Sequence, residues 1–426
     1  RARAEAVIRL TVELGPLTRF GEVEVRGVPP GLEGAVAARV GFAAGDRYRP
    51  AALDDARAAL YGLGRFALVR VEPDRDDDEV VDVTITVAEA ARHDLRLGGG
   101  VGLNPIALEL RALAQYGVAA WPWPLTTTRL EVRPALVIQR DDRTRSPRVD
   151  AIATLDRLDL FRPRYGGAVE GGFSYLAVEA YASYGPRVRL SLRSPSYRDV
   201  VSASLGWQLG LIAYTDVAAA LDDALIARLG LDGVDRIGAF DQSVVVDLRD
   251  DRVAPRRGGY LEVRAEQGTV AAGGALSYLR LVPDLRGYAS VGSLTVAARA
   301  RAGALLGDGP ATHRFFGGGA NGFRGLPERQ LSPFVGVGDG RVPYGGTAAL
   351  ELSGELRFPL PWLPLDLAGA AFVDGGDVTE GWAALALDHL HWATGLGLRV
   401  PTPIGAVRLD VAQHQVAQHA AVDAAD

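Results

Sequence analysis

Cysteine is absent from the 426 residues, which removes disulfides, thiolate metal sites and thiol nucleophiles and is compatible with an oxidising compartment. A basic excess is absent too. Lys+Arg number 46 against 52 Asp+Glu, a net charge of -6, so no chain-wide positive field exists to condense on nucleic acid, and nucleic acid is excluded as a general partner. No uninterrupted apolar run reaches about 18 residues, because Arg, Asp or Glu punctuates every candidate; helical membrane spans are ruled out. No G-x-S-x-G elbow frames a serine and no His and Asp stand at a useful spacing, so no catalytic nucleophile emerges and the chain reads as a non-enzyme without cofactor. It starts at Arg1 with neither Met nor a signal peptide, which reads as a mature or trimmed chain whose address has been removed. Glycine, by contrast, is abundant at 52 residues, and 48% of the chain is hydrophobic, dispersed in short segments.

The first roughly 90 residues alternate helix and strand patterns. Phe20 to Arg26 alternates as a strand and stops at Gly27-Val28-Pro29-Pro30-Gly31, a cluster of strong turn formers. Between Pro50 and Gly64, Leu53, Ala56, Leu60 and Leu63 recur at three- and four-residue spacing, the pattern of an amphipathic helix with Pro at its start and Gly at its end. Phe66 to Val71 and Val80 to Val87 alternate again around the acidic run Asp74 to Glu79, which suits a solvated hairpin turn better than a calcium site. The order is β-α-α-β-β over 16–90, a small α+β domain, and residues 1–15 look like the end of a preceding, truncated copy.

From residue 91 to 426 the period is two, and the polar members are charged. Leu130, Val132 and Leu136 alternate with Arg129, Glu131 and Arg133; Val188, Leu190 and Leu192 with Arg187, Arg189 and Arg193. Leu261, Val263 and Ala265 alternate with Glu262, Arg264 and Glu266, and Leu350, Leu352, Leu356 and Phe358 with Glu351, Ser353, Glu355 and Arg357. A soluble sandwich with one wet face would show the same alternation. The number of such segments, their length of about 9–14 residues, and short Pro/Gly turns alternating with long loops favour an outer-membrane barrel, charged inside and apolar toward lipid. Fifteen segments can be counted, of which the last is 404–411, whereas bacterial barrels carry an even number; the expectation is about 16 antiparallel strands. The tail from Ala412 to Asp426 does not resemble a membrane strand, so the closing strand is either trimmed away or hidden within 167–193.

The connection 305–345 is the longest between adjacent strands. Its Gly317-Gly318-Gly319-Ala320-Asn321-Gly322 fits G-x-G-x-x-G literally, but neither flank is helical, so a dinucleotide site is rejected in favour of a loop that folds back on itself. His389 and His391 form an H-x-H without nearby Cys or paired acids, so no metal site is assigned. Trp121, Trp123, Trp362, Trp382 and Trp392 fall at strand ends, where aromatic girdles anchor barrels.

Within that loop, Arg314-Phe315-Phe316-Gly317-Gly318 and Gly322-Phe323-Arg324-Gly325-Leu326 resemble the sixth extracellular loop of the BamA/TamA family of outer-membrane assembly factors, with Leu326 where the family has an aromatic. Asp247 to Asp251 with Pro255 and Gly258 resembles that family's strand-turn-strand before mid-barrel, and Gly354 to Pro359, Phe372 to Gly376, and Thr402 to Asp410 resemble its twelfth, thirteenth and penultimate strands. The N-terminal unit, with Gly45, Tyr48, Leu60 and Phe66, is similar to the family's polypeptide-transport-associated (POTRA) domain. The last strands resemble the TamA branch more than the BamA branch.

The resemblance implies that the loop-six motif Gly322, Phe323, Arg324 and Gly325 folds into the barrel and that Arg324 is held by Asp374, Phe372 and Glu355. Strand parity agrees: if Leu356, Ala371 and Val373 face lipid, then Glu355, Phe372 and Asp374 face the lumen. It further implies a factor in the bacterial outer membrane, its POTRA domain in the periplasm. Such a factor receives unfolded outer-membrane or autotransporter clients and inserts or exports them through a lateral seam. Gly98, Gly99 and Gly100 are the candidate soft segment of that seam, although they equally suit a plain taper or turn. Outer-membrane lipid and a periplasmic or inner-membrane companion subunit are the other implied partners. Two alternatives stay open, a two-partner secretion transporter and a passive porin-like channel.

Overall fold

The computed structural model describes residues 17–74, 79–103, 107–139, 145–161, 164–198, 200–336, 341–362, 367–400 and 407–415. They form two compact units. The truncated repeat expected at 1–15, most of the acidic run, and Thr402 to Ala406 lie outside the described residues.

The first unit contains β1 (Arg19–Arg26), α1 (Glu33–Val40), α2 (Pro50–Tyr61), β2 (Phe66–Asp74) and β3 (Val80–Glu89). Pro50 opens α2, and Gly41, at φ +74, closes α1 in the left-handed region that favours glycine. The sheet order is β1-β3-β2, with β3 parallel to β1 and antiparallel to β2. Period two buries Val81, Val83, Ile85 and Val87 of the central strand in the core that also holds Val36, Leu53, Ala56 and Leu60 of the helices. Each such Val, Leu or Ile burial contributes about 1.5–3 kcal/mol. Residues 45–48 cover the outer edge of β1: Phe20 N–H donates to Asp46 O at 2.8 Å, and Phe20 O accepts from Gly45 N–H at 2.7 Å. The other edge, β2, has only β3 beside it in the sheet order.

The second unit is the barrel. Its strands are β4 (His93–Leu103), β5 (Ala107–Ala119), β6 (Thr126–Gln139), β7 (Arg145–Leu158), β8 (Gly166–Ala177), β9 (Ala182–Arg193) and β10 (Val201–Thr215). After α3 (Asp223–Leu229) come β11 (Val234–Asp247), β12 (Gly258–Gly268), β13 (Tyr278–Val291) and β14 (Leu294–Gly307). A two-residue ladder, β15 (Phe334–Val335) with β16 (Val342–Pro343), lies inside the long loop. The barrel resumes with β17 (Ala348–Pro359), β18 (Ala368–Thr379), β19 (His391–Val400) and β20 (Val407–Gln415). Consecutive barrel strands neighbour one another throughout. The registers from β7 to β20 are antiparallel.

The strand count matches the fifteen segments read from the sequence, and the account of the tail changes. The described sheet has 15 strands, one short of about 16, and it runs from β20 to β4 without a pairing between those end strands among the described residues. The stretch 167–193 holds β8 and β9 and no third strand. The tail is also more strand-like than its composition suggests. β20 continues to Gln415 because Ala412 and His414 find partners in Gly395 and Ala393 of β19, small residues that leave room for them.

Alternation sorts the charges onto one face. Arg189 pairs with Asp241, Arg264 with Glu262, and Arg286 and Arg299 with Asp284. Leu190, Leu205, Leu285, Leu356, Leu396 and Leu409 are exposed on the other face, the band that meets lipid. No helix among the described residues is long and apolar enough to cross a membrane. The five tryptophans at strand ends are exposed. At the end with the long loops, α3 packs Leu225 and Leu229 against Tyr181, Tyr214 and Tyr344, and burial pushes the Tyr181 phenol up to about 12.

Candidate functional site

The connection between β14 and β17, residues 308–347, is loop six. It leaves its own hairpin and packs inward: Phe323 is 1% exposed and shares a core cluster with Phe315, Leu331, Val378 and Ala393. Leu326 packs against the same cluster, so an aliphatic side chain serves where the aromatic was expected. Close approach explains the flanking glycines. A Cβ on Gly322 would stand 2.6 Å from Glu351 Oε1, and one on Gly325 would stand 2.4 Å from Ala393 Cβ.

Those contacts deliver Arg324 to the lumen face of β17 and β18. Its Nε donates to Asp374 Oδ2 and its Nη2 to Asp374 Oδ1, both at 2.7 Å, the two-pronged match of a planar guanidinium to a carboxylate. Its Nη1 donates to Glu355 Oε2 at 2.7 Å, and its backbone N–H to Asp374 Oδ2 at 3.2 Å. Cζ lies 3.4 Å from the centroid of the Phe372 ring, so the guanidinium that forks onto Asp374 also covers an aromatic face, a combination open to arginine and not to lysine. The register makes this possible, since Ser353 stands opposite Asp374 and Glu355 opposite Phe372. Under the ring lies Gly395, directly across from Phe372; a Cβ there would meet Phe372 Cζ at 2.3 Å.

Other residues complete the seat, and the sequence reading assigned none of them a role. Ser353 Oγ donates to Asp374 Oδ1 at 2.7 Å and accepts from Arg324 Nη2 at 3.2 Å. Glu355 also takes Arg357 Nε at 2.8 Å and Arg399 Nη2 at 2.9 Å, and Arg399 pairs with Asp410. Three guanidiniums thus meet three carboxylates. Arg357 and Asp410 sat inside recognised segments, and parity placed Ser353 beside Glu355 on the wet face, but a one-dimensional pattern names no partners. Asp374 is 1% exposed and the Arg324 side chain 8%, so both charges depend on the network for compensation.

The structure does not bring Gly98, Gly99 and Gly100 to this seat. They lie in β4, an end strand of the described sheet, where a Cβ on Gly100 would meet nothing within 4 Å. The H-x-H histidines separate as well. His391 meets His414 of β20, Nδ1 to Nε2 at 3.3 Å, and His414 packs edge-on against Phe323.

Residues 177–421 match the family profile described as the Omp85 superfamily domain. Residues 18–90 match the POTRA profile described as the surface antigen variable number repeat. Among solved structures, BamA from Haemophilus ducreyi lacking POTRA domains 1-3 aligns at a TM-score of 0.73 and 14% identity, over 94% of this chain and 82% of that one. CdiB from Acinetobacter baumannii aligns at a TM-score of 0.56 and 14% identity, over 95% of this chain and 72% of that one. No curated protein matches.

Proposed function

We propose, from the premise that this chain belongs to the Omp85 superfamily, that it assembles or translocates other proteins at the outer membrane. Its barrel stands in the bacterial outer membrane and its N-terminal domain in the periplasm. The observation that carries the reading is loop six seated inside the lumen on Asp374 and Glu355, on a chain that also carries a POTRA domain, for which a passive channel has no use.

An unfolded client adds a strand to an edge of the POTRA sheet. The edge is β2, because residues 45–48 occupy that of β1. The client's strands then enter between β4 and β20. No cofactor and no catalysis is involved. The character of the last strands favours the TamA-like branch, and a periplasmic or inner-membrane companion subunit fits the same reading.

Depletion tests it. Cells losing this protein should lose other barrel proteins or autotransporters from the surface while small-solute uptake changes little. Slowed uptake with normal outer-membrane proteins would favour the porin, and loss of a single secreted partner would favour two-partner secretion.

A further inference from the structure

Beside the loop-six seat the lumen holds a cavity of about 730 Å³. Arg286, Arg299, Arg301, Arg357, Arg399 and Arg408 line it together with Arg324, while Glu355 is the one carboxylate of the lining among the described residues. The acids that hold these arginines are Asp284, Glu351, Glu355, Asp374 and Asp410. Among the described residues, seven guanidiniums therefore share five carboxylates.

The surplus can be located. Arg408 is held by an amide oxygen, Asn321 Oδ1, at 2.6 Å, and has no ion pair among the described residues. Arg301 stands 3.7 Å from Glu351 with its side chain 40% exposed. Arg357 uses Nε on Glu355 and Arg286 uses Nε and Nη2 on Asp284, which leaves both Arg357 terminal nitrogens and one of Arg286 without a carboxylate acceptor among the described residues. Guanidinium donors without carboxylates suit oxyanions. The same lining includes Val253 and Ala254, in the turn between β11 and β12, and Ala368, the first residue of β18. These mark the short-turn end of the barrel, the end at which β4 begins.

We infer that this cavity binds an acidic peptide segment, the carboxylate-rich part of a client arriving from the periplasm. The inference rests on the assembly reading for its source of peptide. A lipid headgroup carries the same oxyanion chemistry, but its acyl chains would have to lie in a lumen walled by charge, at a desolvation disadvantage that a peptide avoids.

The test is direct binding to the full chain in neutral detergent, with fluorescein-labelled hexaglutamate read by anisotropy. The probe should bind at low salt, weaken as salt rises, and exceed hexalysine. Arg301→Gln with Arg408→Gln should weaken it about tenfold or more, because each substitution removes a charged donor from the peptide's carboxylates. Arg187→Gln, a β9 residue outside the cavity lining, should leave binding unchanged.

Equal binding of hexalysine, salt-independent binding, or unchanged affinity in the double variant overturns the site. If that variant does not fold, the salt titration and the hexalysine comparison on the unaltered chain still decide. Displacement by inorganic phosphate at matched concentration overturns the peptide and assigns a phosphate group instead. Binding reads the cavity and depletion reads the assembly function, so either can fail while the other stands.

Discussion

The two ends of the barrel sheet carry the same alternating pattern and behave differently. At β17 to β20 the lumen face is tied to loop six through Arg324, which reaches Asp374 on β18 and Glu355 on β17. Arg399 of β19 and Asp410 of β20 extend that tie to the last described strand. At β4, Leu95, Leu97 and Val101 are exposed around Gly98, Gly99 and Gly100, three residues with no side chain to pack. Period two therefore orients side chains without fixing a strand in place. Fixing comes from partners far away in sequence, and here they are a buried ion network that becomes costly when one partner is removed.

The largest break in that comparison should come from Arg324→Ala. It strands Asp374, at 1% exposure, with the Ser353 hydroxyl and a backbone N–H, and an uncompensated buried charge costs on the order of 3–5 kcal/mol, less whatever lumen water recovers. Asp374→Ala should cost less, because Arg324 keeps Glu355. The double variant should be little worse than Arg324→Ala alone in denaturant unfolding, and loop six should become protease-sensitive in all three. Additive losses would mean that the two residues do not act through one contact.

A smaller effect is expected one layer below. Gly395→Ala puts a methyl against the Phe372 ring and 2.4 Å from Val411 O, an overpacking of about 1–3 kcal/mol. Adding Phe372→Ala should recover part of that loss while still releasing loop six to protease. If Gly395→Ala is neutral, the glycine is not what lets the ring lie flat beneath Arg324.

At β4 the change should be slight and of opposite sign. Gly99→Ala and Gly100→Ala meet nothing closer than 3.9 Å, so each should stabilise by about 0.5–1 kcal/mol through lower chain entropy. If β4 must yield for clients, insertion should slow as stability rises. Unchanged insertion at raised stability would leave those glycines as mere taper.

Much of the site was legible because parity is local. Glu355, Phe372 and Asp374 fall on one face once Leu356 and Val373 are assigned to lipid, whereas Arg324 was singled out as their partner by the resemblance of its loop motif to the family's. Ser353, Arg357, Arg399 and Asp410 share that face but carry no local sign of a common partner. Gly395 was equally silent, since a glycine beneath a ring looks like any other strand glycine until the register sets it across from Phe372.

By itself, then, the sequence determined the two-unit organisation, the strand segments and the faces they present, because hydrophobic periodicity acts between residues two to four apart. Only the tertiary structure decided which charges meet. The cross-strand registers and the inward return of loop six bring together groups 21 to 50 residues apart. In a wet lumen an arginine's partner is chosen by that distance and by desolvation.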